Sequence, residues 1–237
     1  MITTNVILIK CGKREYLEQL KNGRMFFNSI KNYRNDGTDY RGDKLEGVKL
    51  LDPGKISITL PDGTNLFDHV RRPDQVSLSY KDDDDLLMFC AAKVTEKVMR
   101  TEDGNRWVLI DAFKNELKKF GDYAILLWSN EVLEHIVGSD QYQHNHLAYS
   151  ADSITYRDKQ NYSEEAVYHS GSPLDVYFTK DSSYAVQNEW RVLLASNDPI
   201  ELNEHGGYYL DVAPFENAII MRTEELIEGL AYNEGKG

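Results

Sequence analysis

Tyr184-Ala185-Val186-Gln187-Asn188-Glu189-Trp190-Arg191-Val192-Leu193-Leu194 is the stretch on which the fold turns. The unbroken apolar run after Trp190 predicts a strand entering a core, over residues 190–195. Glu189 and Arg191 stand two apart, so on a strand both point to one face and Trp190 to the other. A carboxylate and a guanidinium on the inner side of a sheet are costly to desolvate unless they are paired or used. Glu189 and Arg191 are therefore the first candidates for a working centre, with Trp190 as their anchor in the core.

Outward from this stretch, the pattern predicts many short strands and few helices. A strand over residues 5–10, a helix over residues 14–21 stopped by Gly23 and a strand over residues 24–28 open the chain. A polar loop follows over residues 35–47. The alternation Ile56, Ile58, Leu60 before the turn Pro61-Asp62-Gly63 predicts a hairpin across residues 48–68. The acidic run at residues 82–85 reads as a solvated loop. Strands are expected at residues 86–94, 107–110 and 123–128. Helices are expected at residues 110–120 and from Ser129, which is placed to cap the second, to Gly138. Residues 141–149 are ambiguous. Later strands fall at 153–157, 176–179, 208–212 and 218–221, with a helix at 223–230.

This pattern gives an α+β fold: a mixed, mostly antiparallel sheet with three or four helices, in a single domain over residues 1–232. Residues 233–237 read as a flexible tail.

Composition narrows the function. A chain of 237 residues, 41% hydrophobic and 28% charged, has the make-up of a globular protein. No apolar run is long enough for a membrane span, and the first ten residues lack the pattern of a signal peptide. Cys11 and Cys90 are the only cysteines, which points to a reducing, cytoplasmic setting. A net charge of −12 argues against binding duplex nucleic acid, which needs positive charge along the phosphate path. The charge is uneven. Residues 1–49 hold ten Lys or Arg against six acids, so that end is +4 and the other 188 residues carry −16. Such a chain is suited to a small anion at its basic end, or to a basic partner elsewhere.

Other motifs are weaker. His144 and His146 would share a face on a strand, but two ligands make no metal site, and none is expected. Arg41-Gly42-Asp43 spells an adhesion tripeptide that reads here as a turn. Together with Glu46 it forms a polar loop suited to gripping a phosphate or ribose; the plainer alternative is a solvated turn with exposed ion pairs. No glycine-rich phosphate loop, dinucleotide fingerprint or nucleophile elbow is present. Cys90, within Met88-Phe89-Cys90-Ala91, reads as a buried structural cysteine.

Three pieces together resemble a prokaryotic and phage family with no settled activity: Leu20 to Ser29, Arg41 to Gly47, and Tyr184 to Arg191, the last with Gln187 and Glu189 leading into Trp190-Arg191. A second resemblance is to ADP-ribosyltransferase folds, compact α+β domains with a split sheet. There the first strand, helix and second strand flank an NAD pocket, and a Glu on a late strand stabilises the oxocarbenium-like transition state. This resemblance implies a catalytic Glu189 with Arg191, and NAD as substrate with no permanently bound cofactor. It implies a ligand site from Lys10, Asn28, Arg34, Arg41, Asp43, Glu46, Tyr184 and Gln187. Lys10 stands where the family has His or Arg, and the family's Ser-Thr-Ser strand is missing. The competing reading is a non-catalytic acidic module, of phage or host-defence type, that docks a protein partner and uses Glu189 and Arg191 as a structural ion pair.

Overall fold

The computed structural model describes residues 5–233 except 39, 41, 75, 82, 84, 85, 103, 104 and 159–172. The chain opens with β1 (Ile7–Gly12), α1 (Arg14–Lys21), β2 (Arg24–Ser29) and α2 (Ile30–Asn35). β3 (Lys49–Leu51) and β4 (Val76–Leu78) form a small outlying ladder. The middle holds β5 (Leu87–Lys93), β6 (Met99–Thr101), β7 (Arg106–Leu109), α3 (Asp111–Phe120), β8 (Tyr123–Trp128), α4 (Ser129–Val137) and α5 (Asp140–His144). Then come β9 (Leu147–Ser153), β10 (Thr155–Arg157), β11 (Thr179–Asp181) and β12 (Glu189–Ser196). β13 (Gly207–Asp211), β14 (Ile219–Arg222), α6 (Thr223–Gly229) and β15 (Ala231–Asn233) complete the fold.

The fold is α+β, built on an eight-stranded sheet whose pairings are all antiparallel. β5 is its hub. One side of β5 pairs with β12 along six residues, and β9 continues beyond β12. The other side is shared: β2 meets it at Leu87 and Met88, and β1 meets it at Ala92 and Lys93. The sheet therefore forks, with β2 and β13 on one arm and β1, β8 and β14 on the other. At the fork the Lys10 ammonium donates to the Cys90 carbonyl at 2.7 Å and lies 4.4 Å from the Phe89 ring centre.

Side-chain alternation divides the core. On one face, Leu8, Phe27, Phe89, Trp190, Val192 and Leu194 pack under Leu17 and Leu20 of α1 and Val132 and Ile136 of α4. On the other, α3 and α6 cover Ile9 and Ala124, while Ile30, Val176 and Phe178 cover Met88 and Leu193. Each fully buried Leu or Phe contributes about 1.5–3 kcal/mol. Gly23 ends α1 at φ +89, and a Cβ there would lie 2.2 Å from the Val212 carbonyl oxygen, so glycine lets β2 start against β13 at once.

Several sequence expectations fail. Residues 55–60 form no strand; the hairpin shrinks to one bridge, Thr59 with Asn65. Ile58 stays 41% exposed, so the alternation has no apolar surface to pack on. Pro173–Phe178 is 3₁₀, and the strand begins only at Thr179. Ser129 does not cap α4; it is its first residue, and its hydroxyl accepts from the Val6 N–H at 3.0 Å. α2 and α5 raise the α-helices to six among the described residues, against three or four expected. His144 ends α5 and His146 has φ +48, so they share no strand face. Asn233 belongs to β15, paired with Arg106, rather than to a tail; residues 234–237 lie outside the described ones. Asp83, inside the acidic run, is buried. Among the described residues no helix is long and apolar enough to cross a membrane.

Candidate functional site

The start of β12 is set by Asn188, whose left-handed conformation (φ +43) closes the 3₁₀ turn Ser182–Gln187 and turns the chain into the sheet. Its side-chain amide donates to the Lys93 carbonyl at 2.6 Å and to Thr95 Oγ1 at 2.9 Å. With that register fixed, Trp190 enters the core cluster on one face, and Glu189 and Arg191 lie buried on the other, as the spacing predicts. The Glu189 N–H donates to the Tyr156 hydroxyl at 2.8 Å.

Arg191 is 1% exposed. Its Nη1 and Nη2 donate to Oε1 and Oε2 of Glu46 at 2.6 and 2.9 Å, and Nη1 also donates to the Tyr177 carbonyl at 2.6 Å. Its Nε donates to Glu189 Oε1. Glu189 Oε2 accepts from Lys180 at 3.0 Å. Lys180 donates also to Gln187 Oε1 at 2.9 Å and sits 4.8 Å from the Tyr184 ring centre. The Gln187 amide donates to Glu116 Oε1 and to the Tyr40 carbonyl, and Lys119 pairs with Glu116 from outside. Two carboxylates thus meet two cations at the centre, where neither sign is left uncompensated.

Burial alone would raise the Glu189 carboxyl. The attraction of Arg191 and Lys180, with hydrogen bonds from Arg191 and Cys90, outweighs it and holds the group well below the usual carboxylate range. Lys180 is raised: burial opposes its charge, but Glu189 and Glu46 restore it. Burial pushes the Cys90 thiol up to about 12, with Glu189 adding to the rise. Glu189 is therefore an ionised acceptor with both oxygens engaged, a poor general acid and a poor general base.

Of the residues singled out in the sequence, the fold brings together Glu189, Arg191, Glu46 and Gln187, with Tyr184 and Arg34 around them. Tyr184 donates its hydroxyl to the Gly42 carbonyl at 3.0 Å. Arg34 Nε donates to the Glu46 carbonyl at 2.7 Å, and its other nitrogens grip Asp83 at 2.6 and 2.8 Å. Asp43 shapes the turn before Glu46, accepting from the Leu45 N–H through Oδ1. Lys10 instead faces the fork, and Asn28 accepts from Asn32 at the start of α2. Arg41 lies outside the described residues. Lys180, Glu116, Asp83, Tyr156 and Tyr177 were missed. Only Glu116 carried a signal: it falls on the Phe113, Leu117 and Phe120 side of α3, an acid on an apolar face.

Two clefts flank the segment after β12, one of about 620 Å³ and one of about 570 Å³. The first runs between α5 and the β13 edge; the second is walled by Tyr80, Leu174 and Tyr177. Neither is lined by Glu189, Arg191 or Lys10. Among the described residues no group of three or more His, Cys, Asp or Glu is placed to hold a metal ion. Set against protein-family models, curated proteins and solved structures, the chain matches none.

Proposed function

We propose that this chain is a non-catalytic binding module whose acidic surface docks a positively charged protein partner. The observation that carries this reading is the closure of the Glu46–Arg191–Glu189–Lys180 cluster: both Glu189 oxygens are taken and Arg191 is out of reach of solvent. A carboxylate that stabilises a developing cation has to face the substrate; this one faces Arg191 and Lys180. The cluster then serves to hold the loop before β3 on the sheet. The −16 carried after residue 49 supports a basic partner. The test is calorimetric titration with poly-lysine at about 0.15 M salt, where charge between exposed groups is largely screened beyond roughly 8 Å. Poly-glutamate is the control. Saturable binding of poly-lysine alone supports the reading; no binding overturns it.

A second reading, an ADP-ribosyltransferase-like enzyme using NAD, draws on the forked sheet, since a split sheet is what the resemblance implies. Lys10 is a basic group lying in that fork, on the Cys90 carbonyl. Its test is an NAD-consumption assay on the purified chain.

A further inference from the structure

One rung of the β13 edge is open, and it opens into the larger cleft. The Val212 N–H reaches the Gly23 carbonyl, and Tyr208 and Leu210 stand opposite Phe27 and Met25. The alternation of an antiparallel ladder then turns the N–H and C=O of Gly207, Tyr209 and Asp211 away from β2. Two of these three residues are capped. The Asn203 N–H donates to the Gly207 carbonyl at 2.8 Å, and its Oδ1 accepts from the Gly207 N–H at 3.1 Å. Gln141 Oε1 accepts from the Asp211 N–H at 2.6 Å, and the Ser139 hydroxyl donates to the Asp211 carbonyl at 2.7 Å. Between them, the Tyr209 main chain has no partner on its outer side among the described residues.

The cleft of about 620 Å³ is lined by Gln141, Asn203, Gly207, Tyr208 and Tyr209. Tyr208 and Tyr209 face opposite sides of the sheet, so the cleft follows the strand edge. Its volume falls in the range of ligand sites. Its rim carries exposed Asp198 and Glu201, and no Lys or Arg lines it. A main-chain donor and acceptor one residue wide match one residue of another extended chain. The caps at Gly207 and Asp211 stop the pairing after that rung, which guards the edge against open-ended strand addition.

We propose that this cleft binds an extended peptide segment of a basic protein. One residue of the segment pairs its N–H and C=O with Tyr209, and a flanking Lys or Arg meets Asp198 or Glu201. This rests on the reading of the chain as a module for a positively charged partner.

The test is nuclear magnetic resonance on the uniformly ¹⁵N-labelled full chain. The probe is an acetylated, amidated pentapeptide alternating valine and lysine; its partner probe alternates valine and glutamate. The lysine peptide is expected to shift the Tyr209 amide and slow its hydrogen exchange at least tenfold. The glutamate peptide is expected to do neither. Methylating the central peptide nitrogen removes the donor to Tyr209 and should abolish the effect. The double variant Asp198→Asn, Glu201→Gln, both surface changes, should weaken binding at least tenfold. Poly-lysine binding with no response at Tyr209 overturns this site and leaves the binding-module reading standing. Equal responses to both peptides, or to the methylated one, also overturn it. A chain that fails to bind poly-lysine sinks the module reading itself.

Discussion

Arg191 on β12 and Glu46, 145 positions earlier, meet as two parallel hydrogen bonds of 2.6 and 2.9 Å, with both side chains 1% exposed. A planar fork on a planar carboxylate is the strongest geometry available to such a pair. It ties the loop after α2 to the middle of the sheet. Glu46→Gln keeps the shape and removes the charge, leaving Arg191 with one fewer counter-ion in a dry site. We expect a loss of about 3–5 kcal/mol in urea unfolding, with faster amide exchange in residues 42–48. A change under about 1 kcal/mol would show the pair to be idle.

Glu189→Gln takes from Lys180 the carboxylate it pairs with and leaves Arg191 with Glu46 alone. The expected loss of stability is again about 3–5 kcal/mol. NAD consumption should stay at background in both the parent and the variant. A parent that cleaves NAD, and a stable variant that does not, would favour the enzyme.

Gly23→Ala and Gly63→Ala form a matched comparison. Both positions have positive φ, +89 and +87, but a Cβ at Gly23 meets the Val212 carbonyl at 2.2 Å and one at Gly63 meets nothing within 4 Å. Gly63→Ala should cost about 1–2 kcal/mol, the left-handed penalty alone. Gly23→Ala should cost clearly more, because α1, β2 and β13 must move apart. Equal melting curves would remove the steric account.

Stability should fall on the alkaline side. Burial pushes Cys11 up to about 11 and Cys90 up to about 12, against an ordinary value of 9.0. A raised thiol favours the folded state fully below the unfolded value. That advantage is lost as pH climbs, because the unfolded chain releases its protons first. Between pH 9 and 11 each thiol should lower stability by up to about 1.4 kcal/mol per pH unit. Replacing both by Ser should flatten the slope between pH 9 and 10, before the buried hydroxyls of Tyr33, Tyr156 and Tyr177, raised above their ordinary 10.0, add their own slope. A series of urea midpoints would read this.

Much of the frame was legible because its signals are local. α1 and β8 fall at the predicted residues, 14–21 and 123–128, since strong apolar patterning meets a nearby glycine stop. α2, α5 and β9 were not legible, being polar; β9 is an edge strand with little to bury. At the site, the two-residue spacing of Glu189 and Arg191 revealed the buried face. Asp83 could not be told from its acidic neighbours, because what buries it is Arg34, 49 positions away. Lys180 was hidden for the same reason, its partner Glu189 lying on a different strand.

The hub position of β5 has a consequence for the chain as it is made. β5 is complete at residue 93, but the strand that covers its long side, β12, begins at residue 189. During synthesis the edge Leu87–Lys93, mostly buried in the finished fold, waits for nearly a hundred residues without its main partner. Any product truncated before β12 keeps that sticky edge for good. β12 therefore acts as a built-in guard for β5, and nonsense truncations that remove β12 should aggregate rather than persist as smaller folded domains.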